Sequence, residues 1–170
     1  VTKEHQKMGS RARLQKMAED GVPFDERKFG MGQGLRPQLV NFVRSERILI
    51  KDVKMINSPF WVMHPLLCKD ITVDGVTVWN EGPNGDGCDP EACENVLIQN
   101  CIFHTGDDCI AIKSGRNNDG RLWNKPSKNI IIRNCRMEDG HGGVVIGSEI
   151  SGGCENVYAE NCEMDSPHLE

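Results

Sequence analysis

The sequence predicts an all-β fold, a parallel β-helix, because it contains an internal repeat with strand-like alternation and a coil-sized period. Five ten-residue segments align, and each opens on a charged residue and then places apolar residues at alternate positions. They begin at Glu46, Lys69, Glu94, Lys128 and Glu155. Alternation with β-branched residues is typical of strands, and one short strand per repeat buries its apolar side only when coils stack. Leucine-rich repeats have a similar period, but their leucine and helix pattern is missing.

The spacing between the fourth and third repeats is longer than the others and indicates an insertion. The steps between repeat starts are 23, 25, 34 and 27 residues. We expect the extra residues to form a loop at 115–120, which has the sequence Gly-Arg-Asn-Asn-Asp-Gly. Insertions in solenoids tend to collect on the binding face, so this loop is expected near a functional site.

Two vertical ladders are predicted at the end of the aligned strands. Asparagines align with Asp52 and suit turns because their amides satisfy local backbone groups; they are Asn100, Asn134 and Asn161. Cysteines follow them directly and are expected to point inward as small apolar side chains; they are Cys101, Cys135 and Cys162. The eight cysteines lack zinc-site spacing, so we expect buried thiols rather than a disulfide framework.

The chain divides into two parts at residue 45. Residues 1–45 are expected to be a peripheral extension packed on the solenoid, or alternatively a substrate-side loop. They should contain a short helix over Arg11–Asp20 that ends at Gly21 and a loop over Phe29–Pro37. Residues 46–170 are expected to be the coils that carry the active site.

Composition limits the partners. The net charge of −5 argues against nucleic acid, and no apolar run approaches the eighteen residues of a membrane span. No signal peptide is visible at the N-terminus. Between residues 71 and 94 there are six acids and no Lys or Arg, whereas residues 111–136 hold seven bases and one acid. The two blocks suggest carboxylates beside a cationic cradle for an anionic substrate, or alternatively two solvated faces.

Three polar clusters lie between the repeats, at Asn84–Asp89, Thr105–Cys109 and Gly140–Gly143. Taken singly they are ordinary turn sequences, and Gly-Asp-Asp also occurs in metal-dependent polymerases. In a β-helix, however, matching positions of successive coils stack about 4.8 Å apart. Stacking would bring together Asp86, Asp107, Asp108 and His141. We therefore expect Asp86 within roughly 12 Å of Asp107, the limit for water-mediated hydrolysis.

A group of neighbouring carboxylates has a definite chemistry. Close carboxylates repel, so at least one of their pKa values should rise. A protonated carboxyl beside an ionised one is what hydrolysis of a glycosidic bond requires, since one donates a proton to the leaving oxygen and the other activates water.

The three clusters resemble the motifs of the polygalacturonases, family 28 of the glycoside hydrolases. Residues 84–86 match Asn-Thr-Asp with Gly in place of Thr, residues 106–108 match Gly-Asp-Asp, and residues 140–142 match Gly-His-Gly. Asn57–Trp61 and His64–Pro65 are also similar to this family. The resemblance implies a right-handed, single-stranded parallel β-helix, the pectin-lyase-like solenoid, incomplete at both ends of this chain.

The resemblance also implies an activity and roles for residues. The expected reaction is inverting hydrolysis of α-1,4-galacturonosidic bonds in pectin or polygalacturonate, without metal or other cofactor, by a secreted or periplasmic protein. Asp107 would be the general acid, Asp86 and Asp108 would hold and activate water, and His141 would orient the acid. The acid and base carboxyls should lie roughly 6.5 to 9.5 Å apart. The long forms of the motifs are more similar to bacterial exo-acting members.

Three further positions are expected to bind substrate: Asn84, Lys113 and Gly142. Lys113 would supply part of the positive charge that the family's Arg-Ile-Lys motif provides, and the alternative is a surface lysine beside the loop. That fourth motif should follow soon after residues 166–167, whereas this chain stops at Glu170, so we expect a fragment whose activity alone is in doubt.

Two other functions stay open. A pectate lyase would share the fold but use Ca²⁺, which the acidic cluster suits. A carbohydrate-binding β-helix would bind the polymer without cleaving it.

Overall fold

A computed structural model describes residues 9–165, in which parallel strands stack as a solenoid. The strands are β1 (Val40–Val43), β2 (Glu46–Lys51), β3 (Lys54–Ile56), β4 (Met63–Leu66), β5 (Lys69–Asp74), β6 (Thr77–Asn80), β7 (Glu94–Gln99), β8 (Ile102–Thr105), β9 (Ile110–Ile112), β10 (Ser127–Arg133), β11 (Arg136–Glu138), β12 (Val144–Ile146), β13 (Cys154–Glu160) and β14 (Glu163–Asp165). The helices are α1 (Ser10–Glu19) and α2 (Asn117–Trp123), with a 3₁₀ turn at Phe24–Glu26.

The strands form three faces. One face is the sheet β2-β5-β7-β10-β13 and a second is β3-β6-β8-β11-β14. On the third face, isolated bridges through Cys88 join the pair β1-β4 to the pair β9-β12. All pairings are parallel, and the predicted repeat starts lie opposite one another, Glu46 on Lys69, Lys69 on Glu94, and so on to Glu155. The predicted parallel β-helix and its repeat alignment are confirmed.

The core runs along the inside of the coils. On four strands of the first sheet, β2, β5, β7 and β10, two alternate apolar residues are buried, for example Ile71 and Val73 on β5 and Ile130 and Ile132 on β10. On the end strand β13 the corresponding Val157 and Ala159 are not buried. Strand alternation therefore places every second side chain inward, where burial of apolar area stabilises the fold by roughly 25 cal/mol per Å². Phe103 on β8 is fully buried and reaches beneath the turn that carries Asp86.

Both predicted ladders are present. The backbones of Asn100, Asn134 and Asn161 are left-handed, with φ of 55°, 53° and 51°. Asn134 Nδ2 donates to Asn100 Oδ1 at 3.4 Å, and Asn100 Nδ2 donates to Asp74 Oδ1 at 2.8 Å. Cys101 and Cys135 are buried beside them, Cys162 is half-buried, and no disulfide joins the eight cysteines, all of which lie in the described part of the chain.

A second amide ladder, which the sequence analysis missed, runs near the start of the same strands. Asn95 donates to Asp70 Oδ1 at 2.8 Å, Asn129 donates to Asn95 Oδ1 at 3.1 Å, and Asn156 donates to Asn129 Oδ1 at 3.0 Å. The Asp or Asn in the second position of four of the five aligned segments was the available signal.

The coils begin slightly before residue 46, where the sequence analysis placed their start. Strand β1 (Val40–Val43) already pairs with β4, so coil structure begins at residue 40. The expected helix over Arg11–Asp20 is present as α1, and the loop over Phe29–Pro37 contains no helix or strand. No helix within residues 9–165 is both long and apolar enough to cross a bilayer.

The insertion is not wholly a loop, and that prediction was wrong for residues 117–120, which open helix α2. Asn, Asp and Gly are typical of turns, but tertiary contacts decide here. Arg27 donates to both carboxylate oxygens of Asp119 at 2.6 and 3.0 Å, and the rings of Phe24 and Trp123 lie 5.6 Å apart. Contacts from the N-terminal extension therefore hold α2.

Candidate active site

The predicted site residues lie on the turns that lead from the second face to the third. Asp86 follows β6, Asp107 and Asp108 follow β8, and His141 follows β11. Backbone hydrogen bonds join these turns from coil to coil: Gly87 N–H donates to Asp108 O at 2.9 Å, and Cys109 N–H donates to Gly142 O at 2.8 Å. The clusters are thus stacked, as predicted from the repeat.

Stacking brings the three aspartates into contact range. One carboxylate oxygen each of Asp86, Asp107 and Asp108 lies within 4.8 Å of the others. This meets the predicted limit of roughly 12 Å, but these nearest oxygens are closer than the roughly 6.5 to 9.5 Å expected for acid and base carboxyls. Oxygens so spaced can share a single water, since each hydrogen bond to it spans about 2.8 Å.

Asp86 and its neighbour Asp89 are buried beneath the cluster, with exposures of 4% and 0%. Burial, then the charge of Asp107, raises the pKa of Asp86 to about 7. Burial, then the charge of Asp86, raises the pKa of Asp89 well above its usual value. Within the described residues, neither oxygen of Asp89 nor Oδ1 of Asp86 receives a hydrogen bond. The predicted rise in a carboxyl pKa is therefore found at the floor of the site.

The pKa of the Asp108 carboxyl is also raised. Burial, then the charge of Asp107, raises the pKa of Asp108. Gly142 lies against this carboxyl, because a Cβ added at Gly142 would sit 3.2 Å from Asp108 Oδ1 and 2.1 Å from Val145 Cγ2. A glycine is needed here so that the turn can approach Asp108.

Asp107 is more accessible than Asp86, since 23% of its side chain is exposed against 5% for Asp86. Its Oδ1 accepts from the Asp108 backbone N–H at 3.0 Å and lies 3.5 Å from His141 Nδ1. Its Oδ2 accepts from Asn84 Nδ2 at 3.3 Å. The predicted Asn84, Asp107 and His141 are thus in one cluster, and an acid at Asp107 faces the open side of the site.

Arg36 supports this arrangement and was missed from the sequence. It donates to Asn84 Oδ1 at 2.6 Å and to the carbonyls of Pro59 and Pro83 at 3.0 and 2.7 Å. Its guanidinium also lies 4.7 Å from the centre of the Phe60 ring. Arg36 therefore fixes the amide that contacts Asp107, yet it lies in a loop with no periodic signal.

Lys113 is buried, with 3% exposure, so the alternative of a surface lysine is wrong. Its Nζ lies 3.9 Å from Asp86, 3.8 Å from Asp89 and 3.1 Å from Glu149. Burial acts to lower the pKa of Lys113, but Asp89, Glu149 and Asp86 outweigh it and raise the pKa. Glu149, which contacts this ammonium group, was not singled out from the sequence.

The predicted cationic cradle is wrong for most of the basic block. Of its seven basic residues, Lys113 and Arg116 line the pocket, and both contact Glu149. Lys128 instead pairs with Glu94 on the outer face of the first sheet, at 3.5 Å. Strand alternation sends such residues to solvent, which the charge count did not take into account.

A pocket of about 640 Å³ lies above the acids. Its floor contains the three aspartates and Lys113, and one side carries the stacked rings of Phe60 and Trp61, 4.7 Å apart. Residues of α1 and α2 also line it. A pocket with acids on its floor and an aromatic wall suits a carbohydrate, whose apolar ring faces pack on aromatic side chains.

Comparison with known proteins assigns the chain to a family. Residues 26–168 match the family described as glycosyl hydrolases family 28. A probable polygalacturonase of Vitis vinifera is 36% identical over 129 residues, covering 74% of this chain and 26% of that protein. An exo-poly-alpha-D-galacturonosidase of Dickeya chrysanthemi is 38% identical over 78 residues, covering 46% of this chain and 13% of that protein.

Among solved structures, the hyperthermoactive exopolygalacturonase of Thermotoga maritima superposes with a TM-score of 0.90 at 46% identity. The match covers 92% of this chain and 36% of that one. The matched segments thus cover only 13% to 36% of these longer relatives. On the family match, the motifs and the stacked acids together, this chain belongs to family 28 of the glycosyl hydrolases.

Proposed function

We propose that the full-length protein hydrolyses α-1,4 bonds between galacturonic acid residues of pectin or polygalacturonate. The observation that carries this is the close group of Asp86, Asp107 and Asp108, whose nearest oxygens lie within 4.8 Å and one of which has a pKa of about 7. Such a group supplies both a proton donor and a base at neutral pH.

The chemistry needs one proton and one water. Asp107 faces the pocket and donates its proton to the glycosidic oxygen as the bond from that oxygen to the anomeric carbon breaks. A water held by Asp86 and Asp108 attacks the anomeric carbon and gives a proton to one of these carboxylates. The products are a shortened chain and a sugar with a free reducing end.

The raised pKa belongs to Asp86, whereas the acid is assigned to Asp107. Burial explains the difference, since the Asp86 side chain is 5% exposed against 23% for Asp107, and burial disfavours the charged carboxylate. Transfer of that proton to Asp107, over at most 4.8 Å between nearest oxygens, leaves a neutral acid facing the sugar and an ionised Asp86 beside the water. His141, whose Nδ1 lies 3.5 Å from Asp107 Oδ1, would orient the acid.

Action from the chain end is the finer part of the proposal. Two relatives are named as exo-acting enzymes, and α1 and α2 close one side of the pocket. A secreted or periplasmic location follows from the family resemblance and would be tested by cell fractionation.

The test uses full-length protein and polygalacturonate in the presence of a chelator. We expect reducing ends to appear as monomer or dimer, without unsaturated product that absorbs in the ultraviolet. Unsaturated product, or turnover that needs Ca²⁺, would favour a lyase. Binding without any reducing ends would favour a carbohydrate-binding module, and a ladder of oligomers would contradict exo action.

A further inference from the structure

Helix α1 presents one face to the pocket. Residues 11, 14, 15, 18 and 19 line it, the i, i+3, i+4, i+7 spacing of a single helical face. The residue nearest the helix start is Arg11, and Gln15 lies one turn further on the same side. This face of α1 forms a wall of the pocket. The match to family 28 begins at residue 26, so the wall lies outside the matched residues.

The wall is fixed in place by the insertion. Asn118 Nδ2 donates to the Glu19 carbonyl at 3.2 Å, at the end of α1. Just beyond the helix, Arg27 pairs with Asp119 at 2.6 Å, with only 6% of its side chain exposed. Arg13 packs its guanidinium over Phe29, 5.3 Å from the ring centre, on α1 but away from the pocket lining. Helix α1 is therefore held at a set position above the acids.

The charges of the pocket leave one cation without a carboxylate. Seven acids and four basic residues line it. Arg27 pairs with Asp119, Arg116 with Glu149, and Lys113 with Asp86, Asp89 and Glu149. Within residues 9–165, Arg11 has no such partner and is exposed. An acidic pocket that takes a polyanion needs an uncompensated cation, and Arg11 is the described residue that offers it.

The surroundings of Arg11 strengthen this reading. Arg11 lines the same pocket as Phe60, and the Arg36 guanidinium packs on the Phe60 ring. Burial, then the charge of Arg11, lowers the pKa of Arg36. Arg36 donates to Asn84, which in turn donates to Asp107. An anion near Arg11 would offset its charge and would lie on the side of the site from which Asn84 reaches the acid.

We propose that Arg11 binds the carboxylate of a uronic acid residue of the substrate next to the bond that Asp107 cleaves. This rests on the proposed function and names its substrate-recognition residue on α1. A guanidinium can bind a carboxylate through two parallel hydrogen bonds, and Gln15 offers an amide to a sugar hydroxyl on the same face. A methyl ester removes the negative charge, so Arg11 should distinguish acid from ester.

The test measures binding in full-length protein made inactive by Asp107→Asn. Trigalacturonate and its methyl ester are titrated by calorimetry into this protein and into versions that add Arg11→Gln or Arg13→Gln. We expect Arg11→Gln to weaken binding of the acid about 10-fold or more and to leave binding of the ester nearly unchanged. Arg13→Gln, the same change on the same helix away from the pocket, should alter neither.

Equal effects of the two arginine variants, or equal losses for acid and ester, would overturn the assignment. Because Arg11 is exposed and Gln favours helix, the fold should be kept, and a thermal melt of each variant checks this. Absence of hydrolysis by the unmodified protein would count against the proposed function alone, since the binding measurement does not depend on turnover.

Discussion

The asparagine ladder and the row of acidic turns obey the same stacking rule with opposite results. In the ladder, Asn100 donates to Asp74 and Asn134 donates to Asn100, so that polar groups of successive coils satisfy one another. In the acidic row, the same coil-to-coil spacing gathers Asp86, Asp107 and Asp108, and Asp86 Oδ1 lacks a donor among the described residues. One backbone arrangement is thus stabilised by amides at one edge and made reactive by carboxylates at another.

An Asp-to-Asn substitution made once in the acidic row and once in the asparagine ladder gives the strongest test of this difference. We expect Asp107→Asn to lower kcat by about 10²- to 10⁴-fold, because it removes a general acid while keeping the shape of the side chain. Asp52→Asn, which adds an amide to the ladder position, should leave kcat unchanged. Release of reducing ends by full-length protein gives the measurement, and comparable losses for both variants would break the contrast.

Removal of the buried charge should stabilise the protein while it inactivates the site. The folded state keeps a proton on Asp86 between its usual pKa of 3.8 and about 7, where the unfolded state has lost it. Stability should therefore fall as pH rises across this range, and Asp86→Asn should abolish that part of the fall.

The gain for Asp86→Asn is expected to be absent near pH 4 and to grow to an upper limit of about 4 kcal/mol above pH 7. Denaturant unfolding of the full-length protein at the two pH values measures it, with Asp52→Asn as the control. A variant that is less stable than the unmodified protein at neutral pH would show that Asp86 is not a strained group.

The turn that carries Asp107 packs closely on the turn before it, and a substitution at Gly106 tests whether this packing positions the acid. A Cβ at Gly106 would lie 2.3 Å from the Glu81 carbonyl oxygen, so Gly106→Ala must move the backbone beside Asp107. We expect a loss of about 1 to 3 kcal/mol in the free energy of unfolding, together with lower kcat.

The matched control is Gly30→Ala, since an added Cβ there meets nothing within 4 Å. Unfolding curves and kcat are measured for both variants. Unchanged kcat in Gly106→Ala would mean that the turn tolerates displacement and that its position does not govern the acid.

The smallest expected effect concerns Arg36, a positioning residue that acts through Asn84. Arg36→Lys keeps the charge but cannot reach the Pro59 and Pro83 carbonyls and Asn84 together. We expect kcat to fall about 10-fold with little change in KM, and the acid limb of the pH profile to shift. Arg47→Lys on the exposed face of β2 is the control, and a change confined to KM would instead assign Arg36 to substrate binding.

Much of the fold and of the acid cluster is predictable from the sequence because both follow from periodicity. Repeat starts such as Lys69 and Glu94 align by inspection, and stacking then requires the turns of Asp86 and Asp107 to meet. The depth of burial of Asp89 and Lys113 was not predictable, since it depends on how the turns close over the third face. The cluster is also tighter than the usual spacing of an acid and a base suggested.

The wall of the pocket that α1 and α2 form could not be predicted from the repeat pattern. Arg27 and Asp119 are 92 residues apart, and their pairing decides that the insertion forms a helix and that α1 lies above the acids. Arg36 and Arg11 are single residues in segments without periodicity, so nothing in their spacing marks them. Local composition even favoured a loop at 117–120, and tertiary contacts overrode it.

The claim that stacked turns retain a proton at neutral pH is tested most directly by carbon NMR of the aspartate carboxyls. Full-length protein labelled at these carbons is titrated and compared with Asp86→Asn to assign the Asp86 resonance. We predict that one carboxyl of the cluster titrates near pH 7 and that its resonance is missing in the variant. If Asp86, Asp107 and Asp108 are all ionised below pH 5, the cluster does not hold the proton that the mechanism requires.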